Sequence, residues 1–199
     1  MPRLYFKYGT MGSSKSANAL VTRFNYMDKG FNVLLMKPDI DGESNEIVAT
    51  RLGLKAEALL FSKEDNFNEI LKEENEKLLK EENENYDAII IDEAQFLTAK
   101  QVEDLKDIAD YQIPVLCFGL KTNYASYLFE GSKRLLEIAD SISEIKSICK
   151  CGRKATMNGR IVEGNIVKDL IDNNEIDIGS DDKYIGMCYK CWNSDVHYI

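Results

Sequence analysis

Residues 9–16 read Gly9-Thr10-Met11-Gly12-Ser13-Ser14-Lys15-Ser16, directly after the apolar run Leu4-Tyr5-Phe6 and directly before an amphipathic helical pattern. Strand, glycine-rich loop and helix in that order predict a loop that cradles phosphate. Its small residues let successive backbone N–H groups converge on phosphate oxygens at the positive end of a helix. Lys15 is placed to reach the β and γ phosphates, and Ser16 offers a hydroxyl to Mg²⁺. The pattern G-x-x-x-x-G-K-[ST] has glycine where this chain has Ser14, so position 14 is expected in either a tolerated or a strained conformation. Taken as a bare string, the same residues also suit an ordinary Gly/Ser turn before a helix. The elements on either side decide between the two.

Downstream, Ala17, Leu20, Val21, Phe24 and Met27 recur at helical spacing, and Gly30 stands where a C-terminal cap belongs. A second strand is expected over residues 31–36. With 199 residues, 44% apolar and 30% charged, the chain has the composition of an ordinary globule of one sizeable domain, or of one domain plus a small appendage. No apolar stretch approaches the roughly 20 residues of a membrane span, and Lys7 and the Gly/Ser loop arrive too early for a signal peptide. A cytoplasmic location is expected, with no membrane partner. The net charge of −9 and the lack of a basic stripe argue against a nucleic-acid partner. Much of that acidity lies in residues 72–85, which read as an exposed helix packed through Phe67, Ile70, Leu71, Leu78 and Leu79. An acidic partner-binding surface is the other reading of that segment.

A second informative string is Tyr86-Asp87-Ala88-Ile89-Ile90-Ile91, a buried-strand run that ends in Asp92-Glu93-Ala94-Gln95-Phe96. An acidic residue at the carboxyl end of such a strand is where phosphate-loop proteins hold Mg²⁺. Glu93 beside it would then accept a proton from an attacking hydroxyl or water, help worth about 10²–10⁴ in rate. The plainer alternative is a helix N-terminus, where both carboxylates would complement the helix dipole. A helix through Val102, Leu105 and Ile108 and a strand over residues 113–119 continue the alternation. Alternating strands and helices predict a parallel sheet with helices on its faces and ligands beyond the carboxyl ends of the strands. Residues 9–16, 92–96 and 119–124 all fall at that end.

Near residue 140 the alternation stops. Cys149-Lys150-Cys151 and Cys188-Tyr189-Lys190-Cys191 flank a polar, hairpin-like stretch, and four cysteines in two close pairs predict a tetrahedral thiolate zinc site. Disulfides are the alternative, less suited to a chain with no export signal. Closed coordination by Cys149, Cys151, Cys188 and Cys191 would make the zinc structural, leaving no open position for catalysis. Cys117 reads as a core residue. His197, the one histidine, leaves little material for a histidine-based relay.

These pieces in this order resemble the zinc-containing, phosphate-loop (type II) thymidine kinases, bacterial branch. The resemblance runs over nearly the whole chain. It includes Leu4-Tyr5-Phe6-Lys7-Tyr8-Gly9-Thr10-Met11, Ile91-Asp92-Glu93-Ala94-Gln95-Phe96-Leu97-Thr98 and Ile113-Pro114-Val115-Leu116-Cys117-Phe118-Gly119-Leu120. It continues through Cys149-Lys150-Cys151-Gly152-Arg153-Lys154-Ala155 and Ile178-Gly179-Ser180-Asp181-Asp182-Lys183-Tyr184. The fold it implies is α/β: a P-loop NTPase (RecA-like) domain over 1–140 and a zinc-binding lasso domain over 141–199. The activity it implies is transfer of the ATP γ-phosphate to the 5′-hydroxyl of thymidine or deoxyuridine. By that resemblance residues 9–16 and Asp92 serve ATP and Mg²⁺, and Glu93 takes the hydroxyl proton. Gln95, Phe96, Tyr124 and Asn158 lie at the nucleoside, and a lasso containing Ile178, Gly179 and Tyr184 closes over it. Without the family, core packing would be the ordinary reading of Phe96, Tyr124 and Tyr184. A homotetramer and feedback by the thymidine triphosphate are also implied.

The departures from the family pattern cluster near ligands. Ser14 replaces a glycine, and Asp41 is followed by Gly42 where the family has arginine, with Arg51 downstream as a partial substitute. The family string Gly-Leu-Arg-Thr-Asp-Phe-Arg stands here as Gly119-Leu120-Lys121-Thr122-Asn123-Tyr124-Ala125, and Ser180 replaces the second lasso glycine. Fewer positive groups beside phosphates weaken transition-state stabilisation. A diverged nucleotide or nucleoside binder with little kinase activity is therefore the alternative expectation. A nucleic-acid-handling ATPase with a zinc ribbon is a third, opposed by the charge.

Overall fold

The computed structural model describes residues 3–40, 46–82, 84–168 and 184–194. Asp41, Gly42, Ile178, Gly179, Ser180 and His197 lie outside the described residues. β1 (Leu4–Tyr8) leads through the glycine-rich loop into α1 (Lys15–Met27), which returns to β2 (Val33–Pro38). A small antiparallel hairpin, β3 (Ile47–Ala49) and β4 (Lys55–Glu57), precedes β5 (Leu59–Phe61) and the acidic helix α2 (Phe67–Glu81). Then follow β6 (Ala88–Ile91), a single 3₁₀ turn (Ala94–Phe96), α3 (Ala99–Tyr111), β7 (Val115–Gly119), α4 (Glu130–Ile138) and β8 (Ser141–Glu144). The two strands expected from residues 31 and 86 begin at Val33 and Ala88. Phe31 instead closes α1 by donating its N–H to the Tyr26 carbonyl, with Gly30 at φ 83° making the turn.

The sheet runs β5-β2-β6-β7-β1-β8, and every neighbouring pair is parallel. Parallel neighbours need crossover connections; helices supply four of the five, and the stretch with the β3–β4 hairpin joins β2 to β5. β1 and β6 are therefore separated by β7, so the glycine-rich loop and the Asp92-Glu93 pair reach the carboxyl edge two strands apart. Strand side chains alternate between faces. Leu34, Met36, Ile89 and Ile91 join one core with Phe67 and Leu71 of α2, Val102, Leu105 and Ile108 of α3 and Leu135 of α4. Val33, Leu35, Ala88 and Ile90 join the other, with Ala19 and Leu20 of α1 and Val48 of the hairpin. Cys117 is fully buried among apolar neighbours, which push its thiol pKa far up and keep it neutral.

α1 covers its face only in part. Ala17 and Leu20 are buried, while Val21, Phe24 and Met27 are 48%, 66% and 47% exposed. Beyond the sheet, β9 (Ser147–Ile148) pairs with β10 (Lys154–Ala155), and β11 (Met157–Val162) pairs antiparallel with β12 (Asn165–Val167) and β13 (Tyr184–Met187). α5 (Tyr189–Asn193) closes this unit around Cys149, Ala155, Met187, Cys188 and Trp192. β8 lies just past residue 140 in sequence but hydrogen-bonds in the large sheet beside β1.

Ser14, at the N-terminus of α1, adopts φ 62° and ψ 35°, the left-handed conformation that glycine accepts and other residues resist. Its side chain is exposed and makes no capping hydrogen bond. The left-handed backbone costs a serine about 1–2 kcal/mol, offset partly by glycine's greater freedom when unfolded. Ser14→Gly should therefore stabilise the nucleotide-free protein by about 0.5–1 kcal/mol, measured by urea unfolding. A loss of stability would show instead that the Ser14 hydroxyl makes a favourable contact larger than the strain.

Candidate active site

The loop at residues 9–16 is held from several sides. Gly9 donates its N–H to the Gly119 carbonyl at 3.2 Å, and Ser13 N–H returns to the Thr10 carbonyl at 3.1 Å. Lys15 is buried and its ammonium donates to the Thr10 carbonyl at 3.0 Å, which folds the lysine over the loop. Ser13 Oγ is buried and finds no hydrogen-bond partner among the described residues. Met11 N–H is engaged within the protein, donating to Asn158 Oδ1 at 2.8 Å.

Two strands away, the end of β6 carries Asp92 and Glu93. Asp92 is buried and accepts from the Ser16 hydroxyl and from the Glu93 backbone N–H, while Oδ1 has no partner among the described residues. Burial, joined by the neighbouring Glu93 carboxylate, pushes the Asp92 pKa up to about 7, and the two hydrogen bonds and Lys15 oppose that rise only in part. Lys15 thus compensates the buried carboxylate only in part. An orphaned carboxylate oxygen next to a serine hydroxyl is a donor set of hard oxygens, fitting a small divalent cation such as Mg²⁺. Glu93 is half-buried, with its backbone at φ 53° and ψ 40°. Gln95 Nε2 donates to Glu93 Oε2 at 2.6 Å, and Gln95 Oε1 accepts from Leu120 N–H at 2.8 Å.

The C-terminal unit leans directly on this centre. Asn158 of β11 is buried; besides accepting from Met11 N–H, it donates through Nδ2 to the Thr122 carbonyl at 2.6 Å. Its register partner on β13 is Gly186. A Cβ at Gly186 would come within 2.7 Å of both the Met11 carbonyl and Thr10 Oγ1, so only glycine lets this strand lie against the loop. Thr10 Oγ1 also shares a 2.7 Å hydrogen bond with Ser147 Oγ. Tyr124 is buried, its ring 6.2 Å from that of Tyr184 and under the Arg160 guanidinium at 5.4 Å. Phe96 packs edge-on against Phe129 at 5.8 Å. The residues brought together around the loop are thus Asp92, Asn158 and, through the Thr122 segment, Tyr124 and Tyr184. Gly186, Ser147, Arg160 and Trp192 were not singled out by the sequence reading. Their only local signal was proximity to the cysteine pairs, because strands of two to six residues carry little periodicity.

Cys149, Cys151, Cys188 and Cys191 place their sulfurs within 4.8 Å of one another. Tetrahedral zinc with about 2.3 Å bonds sets sulfurs about 3.8 Å apart, and Cys151 Sγ lies 3.6 Å from Cys188 Sγ, far beyond a disulfide. Burial opposes the Cys149 thiolate, but the Cys151 and Cys188 backbone N–H groups and the neighbouring thiols bring it down to about 6. Cys188 is lowered too, chiefly by the Cys191 backbone N–H. Thiolate is the form that binds metal. The cluster fits a closed structural zinc site. Trp192, the sole tryptophan, is buried beside it and donates its indole N–H to the Tyr124 carbonyl at 3.1 Å. Stripping the metal with a chelator should therefore shift Trp192 emission to the red and weaken nucleotide binding together. An unshifted spectrum in demonstrably metal-free protein would mean that the cysteines do not hold this unit.

The family model described as thymidine kinase matches residues 2–192. Among curated relatives, a thymidine kinase of Zymomonas mobilis is 42% identical over 192 residues, covering 96% of this chain and 95% of the relative. One from Enterobacteria phage T4 is 40% identical over 196 residues, covering 97% and 96%, and one from Rhodopirellula baltica is 39% identical over 191 residues, covering 94% and 86%. A match over nearly the full length, at this identity and with the phosphate loop, the acidic pair and the four cysteines in place, means that the chain belongs to the thymidine kinase family.

Proposed function

We propose that this protein is an ATP-dependent thymidine kinase, moving the γ-phosphate to the 5′-hydroxyl of thymidine or deoxyuridine in nucleoside salvage. The observation that supports it most is the juxtaposition of two carboxylates with different surroundings. Asp92 is buried with an orphaned oxygen beside Ser16, whereas Glu93 is half-exposed and hydrogen-bonded by Gln95. Environments that differ so much suit two roles.

Residues 9–16 are proposed to bind the triphosphate, with Lys15 leaving the Thr10 carbonyl for phosphate oxygens. Asp92 and Ser16 are proposed to hold Mg²⁺, which when bound would neutralise charge on the phosphates. Glu93 accepts the 5′-hydroxyl proton as the oxygen bonds to the γ-phosphorus and the bond to the ADP oxygen breaks. Phe96, Tyr124, Asn158 and Tyr184 are proposed to line the nucleoside site, and Ile178 and Gly179, outside the described residues, to contribute to it from the lasso. Gln95 belongs to the same region. The split into a nucleotide domain and a zinc-held lasso domain is part of this reading, and the pairing of β8 with β1 favours a seam after Glu144.

No helix among the described residues is long and apolar enough to cross a membrane, and a cytoplasmic location is proposed. A homotetramer is proposed as well. Its supporting feature is the uncovered stripe Val21, Phe24 and Met27 beside Leu54 and Ala56 of the β3–β4 hairpin. Phe24→Glu should then lower the sedimenting mass by at least half, whereas an unchanged assembly would remove α1 from the interface.

The decisive assay is thymidine-dependent ADP formation with Mg-ATP, with deoxycytidine as control. Glu93→Gln should lower turnover by about 10²–10⁴ with thymidine binding retained. Full turnover in that variant would remove Glu93 from the proton-accepting role. Binding without turnover in the unaltered protein would favour the diverged-binder reading, which the family membership does not favour.

A further inference from the structure

Gln95 has a different standing from the aromatic residues around it. It is buried, and both ends of its amide are engaged within the chain, which also fixes which end is which. Leu120 N–H can only donate, so the atom facing it at 2.8 Å is the carbonyl oxygen, and the amide nitrogen must face Glu93 Oε2 at 2.6 Å. A hydrogen bond to a carboxylate is stronger than one between neutral groups. Here it acts on a side chain whose backbone sits in the left-handed region at φ 53°, a conformation that persists only where its surroundings hold it.

Those surroundings are built to a close tolerance. A Cβ on Gly119 would lie 2.7 Å from Gln95 Oε1 and 3.0 Å from Gln95 N. The last residue of β7 is thus bare where Gln95 is seated. On the other side, a Cβ on Gly131 of α4 would lie 2.8 Å from the Ala94 carbonyl and 2.6 Å from the Leu97 carbonyl, so α4 presses on the 3₁₀ turn from behind. Leu120 is itself fixed, its carbonyl accepting from Ser132 Oγ at 2.5 Å. The turn that carries Gln95 is clamped between two glycines, and the amide transmits that rigidity to one carboxylate oxygen.

We propose that Gln95 is a positioning residue for phosphoryl transfer: seated against Gly119 and Leu120, its amide N–H aims the Glu93 carboxylate at the reacting hydroxyl. The inference rests on the kinase reading given above. One oxygen, Oε2, is tied to Gln95, leaving Oε1 to accept the proton. Geometry of this kind matters most in the transition state, where a misplacement of about 1 Å costs on the order of 10²-fold.

Gln95→Glu tests this with little change in shape. It keeps the acceptor for Leu120 N–H and replaces the donor facing Glu93 with a second carboxylate oxygen. kcat should fall about 10–100-fold, with the KM values for thymidine and ATP within about 3-fold of the unaltered protein. The second measurement is a double-mutant cycle with Glu93→Gln. If Gln95 acts through Glu93, adding Gln95→Glu to Glu93→Gln should cost no further turnover. Losses that multiply would make Gln95 a merely structural residue and overturn the proposal. So would a raised thymidine KM with kcat unchanged, the mark of a direct substrate contact. Gly119→Ala, which crowds the amide without touching its chemistry, should reproduce the kcat loss, and full activity there would also overturn the proposal. If the unaltered protein phosphorylates no thymidine, the kinase reading fails first and this inference falls with it. Turnover of the unaltered protein therefore tells the two failures apart.

Discussion

The side-chain amide of Asn158 joins parts of the chain that otherwise belong to separate layers. It accepts from Met11 in the phosphate loop and donates to Thr122 in the segment after β7, while riding on a strand of the cysteine-held unit. Each bond runs to backbone; the one to Thr122 is buried and the one from Met11 partly so, and a buried partner left unmade would cost about 1–3 kcal/mol. The loop's shape therefore depends on residues almost 150 positions away in sequence. Gly186, opposite Asn158 in the ladder, makes the approach sterically possible. The cysteine cluster flanks β11 and β13, with Cys149 and Cys151 ahead of β11 and Cys188 next to the end of β13. A metal held by these cysteines would thereby take part in shaping the loop at residues 9–16.

The electrostatics follow a similar logic of incompleteness. The chain carries a net charge of −9 and has lost positive groups at positions 42 and 125 relative to the family pattern, while position 121 keeps its charge as lysine. Lys121 sits 5.7 Å over the Tyr8 ring, at the end of the strand that leads into the phosphate loop. Burial and Glu93 push Asp92 up to about 7, and Lys15 opposes that rise only in part. A divalent cation beside Asp92 and Ser16 would offset that excess of negative charge.

What could be read in advance follows from where the periodicity was strong. The buried run Ala88-Ile89-Ile90-Ile91 and the strand ending at Gly119 are long enough, and apolar enough, to declare a parallel sheet. The cysteine spacing declared its cluster because metal chemistry demands converging sulfurs whatever the fold between them. α1 forms as its spacing predicts, but the stripe through Val21, Phe24 and Met27 faces outward, the sheet face beneath α1 being shared with the β3–β4 hairpin. Spacing shows which residues share a helix face, but not what covers it. The contacts of Asn158 and Gln95 were illegible for another reason. Each is a single polar residue whose partners are backbone groups in distant segments, and no local pattern encodes them.

The strand order explains why β7 is the element that couples the two halves of the centre. Because β7 lies between β1 and β6, its carboxyl end adjoins both the loop at residues 9–16 and the turn after β6. Gly119 uses its carbonyl to accept from Gly9, and the next residue uses its N–H to hold Gln95. A glycine is required there on both counts, since a Cβ would strike Gln95 while the backbone must stay in the sheet register opposite Tyr8. Had β6 paired directly with β1, Asp92 and Ser16 could still have met, but no intervening strand end would have been available to seat Gln95 and so to fix Glu93. The inserted strand gives this sheet a reference point against which both the loop at residues 9–16 and the turn carrying Gln95 are seated.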